Sequence, residues 1–86
     1  MNSKLPKLSN LINLQTKLAN LIEDCYFLEK HFKHAVKCVK KGDKETAKYH
    51  LTHSMQQHYK SAVNCCSEIE ELLDLIKKEI KNTEKN

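Results

Sequence analysis

The sequence predicts an all-α protein: an antiparallel two-helix hairpin, coiled-coil-like, that self-associates into a four-helix bundle or a higher helical oligomer. Apolar residues recur every three or four positions along two long segments, which is the helical period. One Gly and one Pro are too few for the turns of a β-rich protein. We expect one domain over 1–86, with helix one at about 8–41, a turn at 42–43, helix two at about 44–81 and a frayed tail at 82–86.

Helix one is predicted from a heptad repeat (positions a to g) whose a and d positions are all apolar. Such a repeat is typical of a helix packed along a narrow seam. We expect this stripe to face helix two. Its members are Leu11, Leu14, Leu18, Leu21, Cys25, Leu28, Phe32, Ala35 and Val39.

The turn is predicted at Gly42 and Asp43. Glycine adopts the left-handed conformation that ends a helix, and aspartate caps the beginning of the next helix. So short a break makes the two helices antiparallel neighbours.

Helix two repeats the apolar pattern, with one exception. We expect the lone histidine in its stripe, His58, to hydrogen-bond to a neighbour and to ligate nothing. Pairing across the hairpin places Leu21 near Cys65 and Leu14 near Leu72. The stripe comprises Leu51, Met55, His58, Ala62, Cys65, Ile69, Leu72 and Ile76.

A second apolar stripe predicts self-association, because a hairpin alone would leave it in water. A dimer that forms a four-helix bundle is the simplest arrangement, and higher oligomers or a foreign helical partner fit the same stripe. The predicted interface comprises Leu8, Ile12, Ala19, Ile22, Tyr26, Tyr59, Val63, Cys66, Leu73 and Ile80.

The charges are unevenly distributed along the chain. All fifteen basic residues are lysines, and without arginine the planar fork that reads bases is missing, so we expect no sequence-specific nucleic-acid binding. Residues 30–60, the turn half, carry eight lysines and two acids, a net charge of +6, whereas the other residues sum to −2. A basic turn half favours an acidic protein surface or a phosphorylated small molecule as partner.

All five histidines lie between His31 and His58. The best candidate metal ligands there are His34, Cys38 and His50, with His31 or His53 as a fourth. Zinc needs three or four converging ligands, and the spacing matches no known closed zinc module. We therefore expect neither a metal nor another cofactor. Protonation of these histidines in mild acid should loosen the turn half.

A small anionic ligand, such as a signalling nucleotide, is the alternative to a protein partner. Tyrosines stack on bases, lysines neutralise phosphate, and hydroxyl or amide groups fix orientation. The residues that would form such a groove are Tyr26, Lys33, Lys40, Tyr49, Thr52, Gln56 and Tyr59.

Catalysis is not expected, because no carboxylate pair or phosphate loop is present and Cys38 beside His34 or His50 lacks a third orienting group. No signal peptide and no membrane span are recognisable, which favours a cytoplasmic location. The sequence thus predicts a non-enzymatic oligomeric binding protein: an adaptor, inhibitor or immunity-type module that uses its basic turn end. Ligand sequestration is the second interpretation and a His/Cys metal-binding bundle the third.

Overall fold

The computed structural model describes the backbone of residues 5–84 and the side chains of residues 5–81. It is all-α: α1 spans Leu8–Lys41, α2 spans Lys44–Tyr49, a π-helical turn spans His50–Ser54, and α3 spans Met55–Glu84. We call residues 44–84 together the second helix. It runs antiparallel to α1, forming a rod of 66 × 16 × 14 Å. The hairpin fold predicted from the sequence is confirmed, and helix two continues past its predicted end at residue 81.

The turn uses the predicted residues. Gly42 has a φ of 81°, in the left-handed region, and it is the one described residue with a positive φ. Its N–H donates to the Val39 carbonyl and that of Asp43 to the Cys38 carbonyl, closing the end of α1. The Asp43 carboxylate accepts a 3.2 Å hydrogen bond from the Thr46 N–H, which caps α2. A hydrogen bond from the Thr46 side chain, and then this backbone bond, lowers the pKa of that carboxyl below its ordinary value.

The π-helical turn inserts one residue into the heptad pattern of the second helix. Its mark is the hydrogen bond from the Met55 N–H to the His50 carbonyl, five residues back. The inward positions in this region follow at 47, 50, 54, 58 and 62. From the first to the last is one residue more than two heptads, and the wider turn absorbs it.

This insertion overturns one prediction from the sequence. Leu51 was expected in the seam but is 41% exposed. An uninterrupted α-helix would turn Leu51 and Lys48 inward together, burying a lysine side chain. The π-helical turn instead brings in Ala47, which is buried, and His50, which is half-buried. Avoiding the desolvation of an ammonium group is the physical reason for the shift.

The core is a single thin seam between α1 and the second helix. It is lined mainly by the second helix, since α1 contributes only one fully buried residue, Ala35. The buried side chains among the described residues are Ala35, Ala47, Ala62, Cys65, Ile69, Leu72 and Ile76.

α1 is rotated from the predicted orientation. Leu14, Leu21, Leu28 and Ala35 face the seam as expected, half-buried or buried. The prediction is wrong for the alternate members of the stripe, which the hairpin leaves exposed. These are Leu11, Leu18, Cys25, Phe32 and Val39.

Candidate functional site

Every seventh residue of α1 from Asn10 to His31 is polar, half-buried and turned toward the second helix. We call these residues the polar rungs. Each of them contacts a partner across the hairpin, and they occupy the seam positions that the sequence pattern assigned to the residue following each of them. The polar rungs are Asn10, Lys17, Asp24 and His31.

The first two rungs lie toward the open end of the hairpin. The Asn10 amide donates a 3.1 Å hydrogen bond to Glu79 Oε1. The Lys17 ammonium lies 2.6 Å from Glu68 Oε2, and this hydrogen bond and charge raise the pKa of Lys17. The Cys65 thiol donates a 2.9 Å hydrogen bond to the carbonyl oxygen of Lys17, and burial raises the pKa of that thiol. These contacts fix the register of the two helices.

Asp24, the third rung, joins two residues of α3. Its carboxylate accepts a 2.7 Å hydrogen bond from the Ser61 hydroxyl and a 3.2 Å bond from His58 Nδ1. Hydrogen bonding from Ser61 first, and then from His58, lowers the pKa of Asp24. His58, the lone histidine in the apolar stripe predicted for helix two, thus has a hydrogen-bonded neighbour, as predicted. The identity of that neighbour, Asp24, was missed because its position was read as outside the seam.

His31, the fourth rung, belongs to a series of stacked rings that we call the ring ladder: Phe27, His58, His31, His50 and His34. Neighbouring ring centroids along it lie 5.0 to 5.6 Å apart. The Nδ1 atoms of His31 and His50 approach to 3.0 Å. Burial, and then the positive charge of His50 when protonated, lowers the pKa of His31. The ladder joins the two helices at the π-helical turn, a feature often found at functional positions.

The candidate metal ligands are only partly brought together. The rings of His34 and His50 stack at 5.5 Å, which is ring packing. Across the part of the chain that the structure describes, no three His, Cys, Asp or Glu side chains are grouped so that they could hold a metal ion. Cys38 therefore forms no such group with the two histidines.

The two sides of the hairpin differ in polarity. On one side Asn13, Lys17, Glu68, Glu71 and Leu75, with Leu72 below them, line a shallow hollow of about 220 Å³. We call this side the polar face. The flanks of α1 and of the second helix that carry these residues meet on this side of the hairpin, so the flanks across the seam from them meet on the other side.

That other side is apolar along its full length, and we call it the apolar face. It consists of one stripe of residues from each helix. Every side chain in these two stripes is apolar, a cysteine or a tyrosine, and each is exposed in the single chain. From α1 the apolar face takes Leu11, Leu18, Cys25, Phe32 and Val39, and from the second helix Leu51, Tyr59, Cys66, Leu73 and Ile80.

The residues predicted as an oligomer interface are all exposed on the single chain. Four of them, Tyr59, Cys66, Leu73 and Ile80, belong to the apolar face. The prediction missed the α1 half of this face because its members had been assigned to the seam. The signal was present in the sequence, since α1 has apolar residues on more of its circumference than one partner helix can cover.

The residues predicted to hold an anionic ligand are all exposed, and Lys33, Thr52 and Tyr49 contact residues of their own helix. Lys33 pairs with Glu29 at 3.3 Å, and the Thr52 hydroxyl donates to the Lys48 carbonyl at 2.7 Å. Tyr49 stacks on His53. These contacts do not draw the groove residues together, and ligand binding there stays a prediction.

Most lysines of the turn half lack a carboxylate partner. Lys33 is paired, and Lys30 lies 6.0 Å above the ring of Phe27. Within the described ranges, seven of the eight lysines of the turn half form no ion pair: Lys30, Lys37, Lys40, Lys41, Lys44, Lys48 and Lys60.

No protein-family model, curated protein or solved structure matches this chain. Among the described residues, no helix is both long enough and apolar enough to cross a membrane.

Proposed function

We propose that this protein is a non-enzymatic interaction module that assembles with copies of itself through the apolar face and docks on an acidic protein through the lysines of its turn half. An adaptor, an inhibitor and an immunity-type protein all work in this way. One observation supports the proposal above the others: α1 turns the polar rungs into the hairpin and leaves the alternate members of its apolar stripe outside.

That arrangement is unfavourable for a solitary chain. Apolar surface gains free energy when it leaves water, whereas polar groups inside need partners. The polar rungs have partners, but Leu11, Leu18 and Phe32 stay 40%, 42% and 52% exposed. When further helices cover the apolar face, its side chains leave water and stabilise the assembly. The polar rungs, which hydrogen-bond across the hairpin, then set the register of its two helices.

The unpaired lysines favour an acidic partner. Seven ammonium groups without described counter-ions, on a segment of net charge +6, raise the local positive potential and speed encounter with acidic surfaces. Lysine is a flexible point charge, so this attraction suits a broad acidic surface better than a bidentate site.

Sedimentation velocity tests the self-association. Leu18→Asn removes an apolar side chain from the apolar face, and Leu75→Asn is its control, because Leu75 is 45% exposed on the polar face. We expect the wild-type chain and the control to sediment as the same oligomer and Leu18→Asn to dissociate. A monomeric wild-type chain, or equal dissociation of both variants, would contradict the proposal.

Salt-dependent affinity capture tests the acidic partner. The test variant changes Lys40, Lys41 and Lys44 to Gln, and the control changes three lysines at the open end, Lys77, Lys78 and Lys81. Both lose the same charge. We expect a captured acidic protein to be lost with the first variant only and to be released by salt from the wild-type chain. Equal capture by both variants would show that the lysines of the turn half do not bind the acidic partner.

A further inference from the structure

We infer that the apolar face is covered by a second copy of this chain, docked antiparallel, so that the turn half of each copy lies against the open end of the other. This inference rests on the proposed self-association and specifies its geometry. Area, charge and the shape of the open end each support it.

The chain exposes more surface than a compact monomer of its mass, and the excess is larger than what each partner buries in a dimer of standard size. The chain exposes 6916 Å², whereas a compact monomer of 10.0 kDa exposes about 5,200 Å². The excess is about 1,700 Å² per chain, against roughly 800 Å² that each partner contributes to a standard interface. The radius of gyration of the chain, 19.3 Å, also exceeds the roughly 12 Å of a compact chain of this length. One further hairpin along the rod is enough to cover the apolar face.

Charge decides the orientation of that second hairpin. A parallel pair would set a turn half of net charge +6 beside another of +6. An antiparallel pair sets each turn half beside residues whose net charge is −2. Since like charges in register oppose association, only the antiparallel pair has complementary charge along its whole length.

The open end supplies a matching hollow. Leu73, Ile76 and Ile80 line an open concavity of about 410 Å³ on α3, whose rim is formed by Glu70, Asp74 and Lys77. Two of the three charges on that rim are acidic. An apolar side chain flanked by lysines therefore suits it, and a second copy of the same acidic rim does not.

The register brings such side chains to the hollow. Asn10 pairs with Glu79 and Lys17 with Glu68, so Asp74 lies level with the segment of α1 between Asn10 and Lys17. In a dimer whose two-fold axis passes through the middle of the rod, near Cys25, residues 36–39 of the partner copy lie at the same height along the rod as Asp74.

Val36 and Val39 are exposed there. Lys48 lies at a similar level, because the neighbouring His50 stacks on His34. In the antiparallel pair these two valines fill the hollow, and Lys48 lies level with Asp74 of the other copy. The dimer is then a rod with a basic segment at each end, which gives it two docking sites for acidic partners.

Chemical crosslinking of the wild-type chain tests the orientation. Lys44 and Lys77 lie near opposite ends of a 66 Å rod, so a short amine-reactive crosslinker cannot join them within one copy. We expect peptides in which turn lysines are linked to open-end lysines. Links between two copies of Lys44 would show the parallel arrangement and overturn the inference.

Charge reversal gives an independent test. The same two-fold axis places Lys33 at about the level of Glu70 of the other copy. Glu70→Lys with Asp74→Lys should weaken the dimer by roughly tenfold or more, and so should Lys33→Glu with Lys48→Glu. Mixing the two double variants should restore association, because each supplies the charge that the other lost. Glu71→Lys, on the polar face, is the control and should dimerise like the wild-type chain. Circular dichroism reports whether each variant keeps its helices.

The outcomes separate this inference from the proposed function. A chain that sediments as a monomer overturns both the self-association and its geometry. An oligomer with turn-to-turn crosslinks, or whose mixed variants fail to recover, overturns the antiparallel docking alone. Loss of acidic-partner capture in the Lys40, Lys41 and Lys44 variant bears only on the proposed function.

Discussion

The Nδ1 atoms of His31 and His50 lie 3.0 Å apart, in the middle of the ring ladder that joins α1 to the π-helical turn. One Nδ1 donates to the other, so only one of the two can hold a proton in this contact. Burial disfavours the charged form of His31 most, and the charges that His50, His58 and His34 carry when protonated, with that of Lys30, disfavour it further. The hairpin is therefore built around an uncharged His31.

Stability should fall in mild acid. The pKa of His31 is lowered from 6.5 in the folded chain, so the unfolded chain binds more protons in the interval between the two values. The contribution is complete above about pH 6.5 and is lost as the pH falls through the folded pKa. We expect a lower Tm at about pH 5.5 than at about pH 7.5, measured at one protein concentration because association also raises Tm.

Two histidine variants locate the source of this pH dependence. His31→Gln should flatten it, because the group with the lowered pKa is removed. His53→Gln should leave it unchanged, since His53 stacks on Tyr49 outside the ladder. If the two variants change the slope equally, the ladder is not responsible.

The hairpin and its ends were predictable because their signals are local. Gly42 followed by Asp43 can end one helix and begin another without reference to the rest of the chain. The rotation of α1 was not predictable from periodicity. Leu18 and Lys17 lie on neighbouring seven-residue stripes, and apolar character alone selects Leu18. Lys17 faces inward because Glu68 lies opposite it, a pairing that appears only when the second helix is placed.

The π-helical turn escaped prediction for a related reason. Leu51 fits the apolar stripe of helix two if the helix is regular. No residue type in this segment indicates that the helix contains one extra residue. The informative signal was the lysine at position 48, which a regular helix would have buried beside Leu51. Reading the polar members of a stripe together with its apolar members would have exposed the conflict.

Asp24 should stabilise the hairpin more than an exposed carboxylate does. Asp24→Asn removes the charge that His58 and Ser61 hydrogen-bond, so we expect a lower Tm at neutral pH. Glu71→Gln is the control, because Glu71 is exposed on the polar face and forms no ion pair among the described residues. The pKa of Asp24 is lowered from 3.8, so its contribution is present above that pH and is lost as the pH falls through the folded value.

The pH dependence separates this role from simple packing. In urea titrations the difference between Asp24→Asn and the wild-type chain should shrink as the carboxyl becomes protonated. A difference that is the same at neutral and at strongly acidic pH would show that the charge of Asp24 does not matter.

Gly42 should be costly to replace because its φ of 81° strains any side chain. No atom lies within 4 Å of a Cβ built there, so crowding does not contribute. Gly42→Ala should lower the free energy of unfolding by about 1–2 kcal/mol. Gly42→Asn should lose less, since asparagine tolerates the left-handed region. Urea unfolding followed by circular dichroism measures both, and equal stability of Gly42→Ala and the wild-type chain would contradict the conformational argument.

Cys65 and Cys66 are adjacent in the sequence and should react very differently with a thiol reagent. Cys65 is buried, its thiol donates to the Lys17 carbonyl, and burial raises its pKa, so little of the reactive thiolate forms. Cys66 is exposed on the apolar face. We expect Cys65 to stay slow at every protein concentration and Cys66 to be fast in dilute protein but slower as the dimer forms. Alkylation followed by peptide mass spectrometry measures both rates, and a Cys66 rate that stays constant while sedimentation shows a dimer would place the interface elsewhere.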